Sequence, residues 1–385
     1  MASLYIHIPF CKSRCYYCDF TTYAGMEKFM PEYMAALETE IKQSTKGVKL
    51  DTIFIGGGTP TSLDDDSFRQ LMAIIKSLVK GKNQEITIEA NPESLTPEKV
   101  QMMKDGGINR VSMGLQSTDD LILKNIGRIH NYDTFLKSYE LLRQTGFDNL
   151  SFDLITALPG QDEAIIRNTI AQAIALKPEH ISVYSMILEE ETPFYDQAEA
   201  GSLILPDDET DRLFQDLFRI KLEEAGYFRY EISNYALPGR ACRHNLNYWN
   251  LGEYIGCGVA AASFMDGVRW SNTKSIEDYI EGIQNQVSVR ATEHINSMDD
   301  SMEEFVFMGL RKTEGISLNK FWKRFSSDFF EVYPGIVDRF ISAGFMIKDG
   351  DRLYLTNAGL DISSYIMSDF ILTQAEDEDE DEDED

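Results

Sequence analysis

No apolar run in this chain reaches the ~18 residues that a membrane-spanning helix requires, so direct insertion into a bilayer is not expected. The opening MASLYIHIPF has no basic segment ahead of a signal-like apolar core, which points to a cytoplasmic protein. Cysteine is scarce and odd in number: five in 385 residues, three of them in one short run. That leaves no disulfide framework to build and favours a reducing compartment. Positive charge is in deficit too, with 36 Lys and Arg against 64 Asp and Glu for a net charge of −28. Ten of those charges form the uninterrupted run 376–385, and the balance without them is still −18. Such a charge opposes binding to nucleic acid or to an anionic membrane surface. The run repels itself and buries nothing, so residues 373–385 are expected to be a disordered, solvated tail, with docking to a basic partner as the alternative.

What is present is ample for a core: 43% of residues are apolar and 11% aromatic. The length suits one large domain and a smaller one. Apolar, β-branched runs recur at 4–8, 52–55, 85–90, 110–115, 150–155 and 181–188. Amphipathic stretches lie between them, for example at 31–43, 67–79, 132–144 and 164–176. Six strand and helix alternations imply parallel units with right-handed crossovers, and a partial (β/α)6 barrel is the economical solution. Polar residues that follow the strands then gather at one rim. This α/β domain is expected to span 1–205. Residues 206–295 read as a connecting region, with one helix at 207–225 and a loop-heavy stretch at 226–270. Residues 296–372 read as a C-terminal helical, winged-helix-like domain, with helices at 302–310, 318–325 and 336–343. It ends in a hairpin about Asp349-Gly350. The domain is not basic as a unit, so a packing or interaction role is expected and nucleic acid is not.

A fourth cysteine is what the motif IHIPFCKSRCYYCDF lacks. Cys11, Cys15 and Cys18 give the spacing C-x3-C-x2-C just after the first strand. Soft thiolates select iron–sulfur clusters or zinc, but structural zinc wants a fourth Cys or His at matching spacing. His7 shares a strand face with Pro9 and is not read as that ligand. Three thiolates on a 4Fe–4S cubane leave one iron open, the arrangement found in radical S-adenosylmethionine (SAM) proteins; a zinc knuckle or incidental thiols are the alternatives. Of the other cysteines, Cys257 reads as a buried thiol. Cys242 stands two residues before His244 and could approach whatever that histidine binds.

The second strand closes as IFIGGGTPT. Gly56, Gly57 and Gly58 allow backbone amides close to a ligand and a nest for an anion. Neither a dinucleotide fingerprint nor a phosphate loop follows. Glu89, Gln116 and Asp153 fall late in the third, fourth and fifth strands, and Arg128 in the next connection. Together they offer a cation for a carboxylate, partners for ribose hydroxyls and an acceptor for an ammonium, the set a SAM site needs.

The motifs Y-I-H-I-P-F-C-x3-C-x2-C, GGGTPT, I-E-A-N-P, R-V-S-M-G-L-Q and F-D-L-I-x-x-L-P, in that order across residues 3 to 365, resemble the oxygen-independent coproporphyrinogen III oxidase group of radical SAM proteins. The resemblance implies a place in porphyrin biosynthesis and a 4Fe–4S cluster on Cys11, Cys15 and Cys18. It implies SAM contacts at Tyr5, Tyr17, Gly57, Gly58, Thr59, Glu89, Gln116, Arg128 and Asp153, on a partial barrel with a C-terminal helical domain. Two departures separate the chain from the oxidases of that group. Phe20 stands where their motif continues to a further cysteine, and the first strand begins close to Met1, where they carry an extension.

The segment RHNLNYW has the form H-N-x-x-Y-W, which resembles the signature of the haem-chaperone branch. Imidazole is a common axial ligand of haem iron, and Tyr248 and Trp249 could stack on a porphyrin face. The expectation is a chaperone that binds haem through His244 and delivers it to respiratory haem proteins, with cluster and SAM supporting a loaded state or a homodimer. The rival is a coproporphyrinogen III dehydrogenase, which would cleave SAM to a radical and decarboxylate two propionates. A purely structural iron–sulfur protein is a third reading.

Overall fold

Through the first 185 residues the chain alternates strand and helix, as the apolar runs imply. Strand β1 (Ala2–Ile8) leads to α1 (Met30–Ser44), β2 (Leu50–Gly57) to α2 (Asp65–Leu78), and β3 (Glu85–Ala90) to α3 (Pro97–Gly106). Next come β4 (Arg110–Gln116), α4 (Asp120–Asn125), α5 (Tyr132–Gln144), β5 (Leu150–Thr156), α6 (Glu163–Leu176) and β6 (His180–Ser185). These coordinates are a computed structural model, which describes residues 1–81 and 83–372. The acidic run expected as a solvated tail lies outside the described residues. Two units are distinguishable: Met1–Tyr248 with Gly252–His294, and Trp249–Leu251 with the chain from Ile295 onward. No helix among the described residues is long and apolar enough to cross a membrane.

Strands β1 to β6 lie side by side in chain order, all parallel, as a partial (β/α)6 barrel that does not close on itself. Their helix-facing residues are mostly aliphatic, with Phe152 of β5 packed on Phe135 and Tyr139 of α5, and these are buried. In β4, Val111, Met113 and Leu115 are wholly enclosed, while Arg110, Ser112, Gly114 and Gln116 alternate with them and line an interior cavity. A closed barrel usually fills its interior with branched aliphatic layers. Here the inward set is polar, so the hollow of the sheet remains a cavity.

Residues 206–295 bring α8 (Asp208–Glu224), after the short α7 (Pro193–Glu199), and several short strands that extend both sheet edges. Strands β7 (Phe228–Arg229) and β8 (Asn234–Ala236) add antiparallel beyond β6. Helix α9 (Arg243–Trp249) carries the H-N-x-x-Y-W string. Strand β9 (Tyr254–Cys257) then pairs parallel with β1, and β10 (Ala262–Met265), β11 (Val268–Asn272) and β12 (Arg290–Ile295) complete that edge, with α10 (Ile276–Gln284) before the last. These strands are two to six residues long, too short to show a clear alternation in sequence.

A buried carboxylate holds β9 in place. Glu40 of α1 accepts from the Gly258 amide (2.7 Å), Asn272 Nδ2 (2.7 Å) and Tyr279 Oη (2.6 Å). Tyr33 Oη donates to the His7 carbonyl (2.8 Å) and accepts from the Val259 amide (3.1 Å). Gly258 has φ +104°, and a Cβ there would stand 2.5 Å from Tyr33 Oη. Only glycine fits both constraints.

The second unit contains α11 (Met298–Leu310), β13 (Ile316–Ser317), α12 (Leu318–Phe325), α13 (Phe329–Val332) and α14 (Ile336–Ser342). The hairpin β14 (Met346–Asp349) and β15 (Arg352–Leu355) forms where Asp349-Gly350 implies a turn, and β13 adds to it as a three-stranded sheet. Two short helices, α15 (Asn357–Asp361) and α16 (Ser363–Ser368), follow. Phe321, Phe329, Tyr333 and Phe370 pack with ring centroids 5.0–5.1 Å apart in successive pairs, the aromatic centre of this unit.

Replacing Glu40 by Ala leaves three buried donors without an acceptor, and the expected loss is about 3 kcal/mol or more of unfolding free energy. Glu40→Gln, which retains one acceptor oxygen, should lose less. Urea unfolding of the two variants beside wild type measures the order.

Candidate functional site

The loop after β1 carries the three cysteines back over the strand ends. Its course is fixed by backbone bonds from Cys11 N to Tyr23 O (3.1 Å) and from Tyr23 N to Pro9 O (2.7 Å). Cys11, Cys15 and Cys18 are free, partly exposed and all line one cavity of about 430 Å³. The same cavity is lined by Tyr17, Gly57, Gly58, Thr59, Glu89, Gln116, Arg128 and Asp153, which come from the loop and from β2 to β5 and their connections. Among the described residues no three His, Cys, Asp or Glu side chains converge on a single ion. A cubane asks for something else, one thiolate on each of three irons. Burial pushes the Cys11 thiol up to about 11, partly offset by its contact with Thr59, so metal uptake there must release a proton.

The three glycines are explained by what a side chain would strike. A Cβ on Gly56 would lie 2.8 Å from Glu89 Oε2, on Gly57 2.8 Å from the His7 ring, and on Gly58 3.0 Å from Cys11 Sγ. The amides themselves are already used. Gly57 N donates to Glu89 Oε2 (3.2 Å), Gly58 N to Ile8 O (2.9 Å) and Thr59 N to Phe10 O (2.9 Å). None of these three amides is therefore free for an external anion, which the sequence suggests; one of them meets the chain's own Glu89 carboxyl.

Glu89 and Asp153 stand inside the curve of the sheet. Burial and then the neighbouring Asp153 raise the Glu89 carboxyl to about 8, against the opposing Gly57 amide and Arg110. Asp153, bonded by Ser112 Oγ at 3.3 Å to both oxygens, is also raised, chiefly by burial. Arg128 donates to Asn91 Oδ1 (2.8 Å). Burial opposes its charge, but Tyr17, Cys15 and Glu93 outweigh that and hold it protonated. Its Nε has no partner, and neither has Gln116 Oε1. Gln116 also occupies φ +65°, a conformation costly for a residue with a Cβ. Both residues line a cavity of ligand size and each keeps a buried polar atom without a partner, which fits an amino-acid and ribose ligand.

Tyr5 does not line this cavity; its hydroxyl donates to His7 Nδ1 (3.0 Å), and His7 Nε2 donates to Thr21 O (2.8 Å). Both His7 nitrogens are thus used within the protein. Sequence reasoning passed over Asn91 and Gly114. Asn91 follows a strand and precedes Pro92, a position that usually marks only a turn, and Gly114 contributes by having no side chain.

His244 is 1% exposed and lies at the start of β2 and β3, the strand ends remote from the cysteines. The Glu85 carboxylate accepts the amides of Arg243 (3.1 Å) and His244 (3.0 Å), fixing the start of α9 on the sheet. Thr52 Oγ1 donates to Ser3 Oγ (2.7 Å), so it accepts from His244 Nδ1–H (2.7 Å). That leaves the Nε2 lone pair to accept from Tyr248 Oη (2.8 Å). Burial lowers the ring to about 3, so it is neutral at physiological pH. Asn245, the next residue, lines the cavity of the cysteines. Cys242 Sγ points to Glu85 Oε1 (3.6 Å), and burial raises it to about 12.

The fold and this cysteine-bearing rim define a radical SAM protein. Residues 5–173 match the Radical SAM superfamily and 296–362 the HemN C-terminal domain. The coproporphyrinogen III oxidase HemN from Escherichia coli superposes with a TM-score of 0.84 over 96% of this chain and 90% of its own, at 21% identity, a likeness of fold. The heme chaperone HemW of Bacillus subtilis is 36% identical over 96% of this chain and 99% of its own length. That of Lactococcus lactis is 34% identical over 96% and 97%. The chain belongs to the HemW family of haem chaperones.

The raised Glu89 carboxyl sets a pH dependence. Its proton stabilises the ligand-free fold fully below the usual 4.5 and is lost as pH rises through about 8. Ligand-free protein should lose up to ~1.4 kcal/mol per pH unit across that window from this group, and Glu89→Gln should flatten the slope. Urea midpoints taken through the window test this.

Proposed function

We propose that the protein is a cytoplasmic haem chaperone that carries a 4Fe–4S cluster on Cys11, Cys15 and Cys18, holds SAM in the adjoining cavity, binds haem through His244 and delivers it to respiratory haem proteins. The cluster, when bound, supplies an open iron for the amino and carboxylate groups of SAM. The chain's own residues do the rest. Arg128 meets the carboxylate, Glu89 and Asp153 accept from ammonium and ribose hydroxyls, and Gly57, Gly58 and Thr59 leave room for close approach. Tyr17 and Gln116 close the sides, and Tyr5 acts from behind through His7. A homodimer is the proposed loaded state.

One observation carries the haem assignment. His244 is held neutral with its proton on Nδ1, bonded to Thr52, and its Nε2 lone pair faces only the Tyr248 hydroxyl. That is the tautomer an axial imidazole uses, with the far N–H oriented by an acceptor. Haem binding then requires Nε2 to exchange one hydroxyl for iron, with Tyr248 as the group displaced.

An anaerobic haem titration on cluster-reconstituted protein, read by visible absorption, tests this. Wild type should bind stoichiometrically and His244→Ala should not. Tyr248→Phe removes the competing hydroxyl and should tighten haem by about threefold to tenfold. Equal occupancy in wild type and His244→Ala sinks the ligand assignment. Protoporphyrinogen formed from coproporphyrinogen III under reducing conditions returns the chain to the dehydrogenase reading.

A further inference from the structure

Arg128 and Cys11 are joined by two side chains, those of Asn91 and Thr59. Arg128 Nη1 donates to Asn91 Oδ1 (2.8 Å), and Asn91 Nδ2 donates to Thr59 Oγ1 (2.9 Å). Thr59 Oγ1 stands 3.3 Å from Cys11 Sγ. Because the threonine oxygen already accepts from the amide, its own hydrogen is left to donate to the sulfur. The three donors therefore point the same way, from the guanidinium toward the Cys11 sulfur. Bonds aligned in this manner polarise one another, and the effect is larger in a buried setting.

Two constraints keep the chain in register. The Asn91 carbonyl accepts from Ser94 N (3.0 Å) and Ser94 Oγ (2.7 Å), and Pro92 follows directly, so the backbone that carries the amide is fixed. Across from it, a Cβ on Gly114 would lie 2.5 Å from Arg128 Nη2 and 3.2 Å from Asn91 Oδ1. The guanidinium occupies the space where the side chain of residue 114 would be. An asparagine is the residue type that suits the middle of the chain, since it offers an acceptor to Arg128 and a donor to Thr59 at once. An aspartate would accept from both neighbours and draw the threonine proton away from the sulfur.

We infer that Asn91 is a positioning residue that couples the carboxylate-binding cation Arg128 to the cluster ligand Cys11 through Thr59, so that one relay sets both SAM affinity and the electron affinity of the cluster. Hydrogen bonds to cluster sulfurs make reduction easier, and groups behind the ligands tune the metal. The inference rests on the cluster and SAM reading of the site.

The test uses the full chain with its cluster reconstituted anaerobically. SAM affinity is measured by equilibrium titration, and the reduction potential by a dye-mediated titration without SAM. Asn91→Ala should weaken SAM by about tenfold or more, the loss of a hydrogen bond to a charged group. It should also make the potential more negative while the cluster content stays that of wild type. Thr59→Val should lower the potential too, and Asn91→Ala on top of it should lower it no further, because both act on one bond. Asn91→Asp should fail to restore the potential although it keeps a partner for Arg128. A wild-type potential in Asn91→Ala, or additive shifts in the double variant, overturns the relay. Wild type that assembles no cluster or binds no SAM overturns the site reading together with it. Thermal unfolding of each variant identifies any that fails to fold; Asn91→Ser then replaces Asn91→Ala, and Thr59→Ala replaces Thr59→Val, in the same comparison.

Discussion

Two carboxylates buried within the curve of one parallel sheet are the constraint that organises the first unit. Burial raises the proton affinity of both, Asp153 adds to the rise at Glu89, and the elements around them answer that cost. The turn after β2 gives up a side chain at Gly56 so that Glu89 fits, and donates the Gly57 amide to it. Ser112 bonds Asp153, and Arg110, only 2% exposed, lines the same hollow. Burial of two carboxyls side by side costs stability, and strongly perturbed groups of this kind cluster at functional sites. A ligand that brings an ammonium and hydroxyl donors would relieve the pair, which ties affinity to the strain of the ligand-free state.

Much of this architecture was legible in the chain. The six parallel strands begin within two residues of where apolar, β-branched runs begin, because strands buried on their outer face must be continuously or alternately apolar. The hairpin about Asp349-Gly350 and the helix Leu318–Phe325 follow equally from local pattern. The edge strands between residues 226 and 272 did not, since a strand such as Phe228–Arg229 holds a single alternation and owes its existence to the neighbour it pairs with. Tyr17, Gly57, Gly58, Thr59, Glu89, Gln116, Arg128 and Asp153, expected at one rim from their type and place, do line one cavity, and Tyr5 does not. The hydrogen-bond direction through Asn91 was not legible, nor was the His244 tautomer, because both are set by partners more than thirty residues away.

The two ends of the hollow carry different chemistry. At one rim, thiols and a guanidinium meet a cavity open enough for a ligand. At the other, α9 is tied to the sheet by the Glu85 carboxylate, and its histidine is kept dry, neutral and engaged. Phe54 connects them. It lines the cavity, and its ring centroid lies 5.1 Å from that of His244.

The pairing of β1 with β9 has a consequence for synthesis on the ribosome. These strands stand about 250 residues apart, and chains grow at roughly 5–20 residues per second. For ten seconds or more (about), β1 has only β2 beside it, and the cysteine loop hangs from a half-finished sheet edge. The newborn chain thus passes through a period in which Glu40 on α1 has none of the partners at Gly258, Asn272 and Tyr279 that later satisfy it, so this carboxylate stays in water until β9 docks.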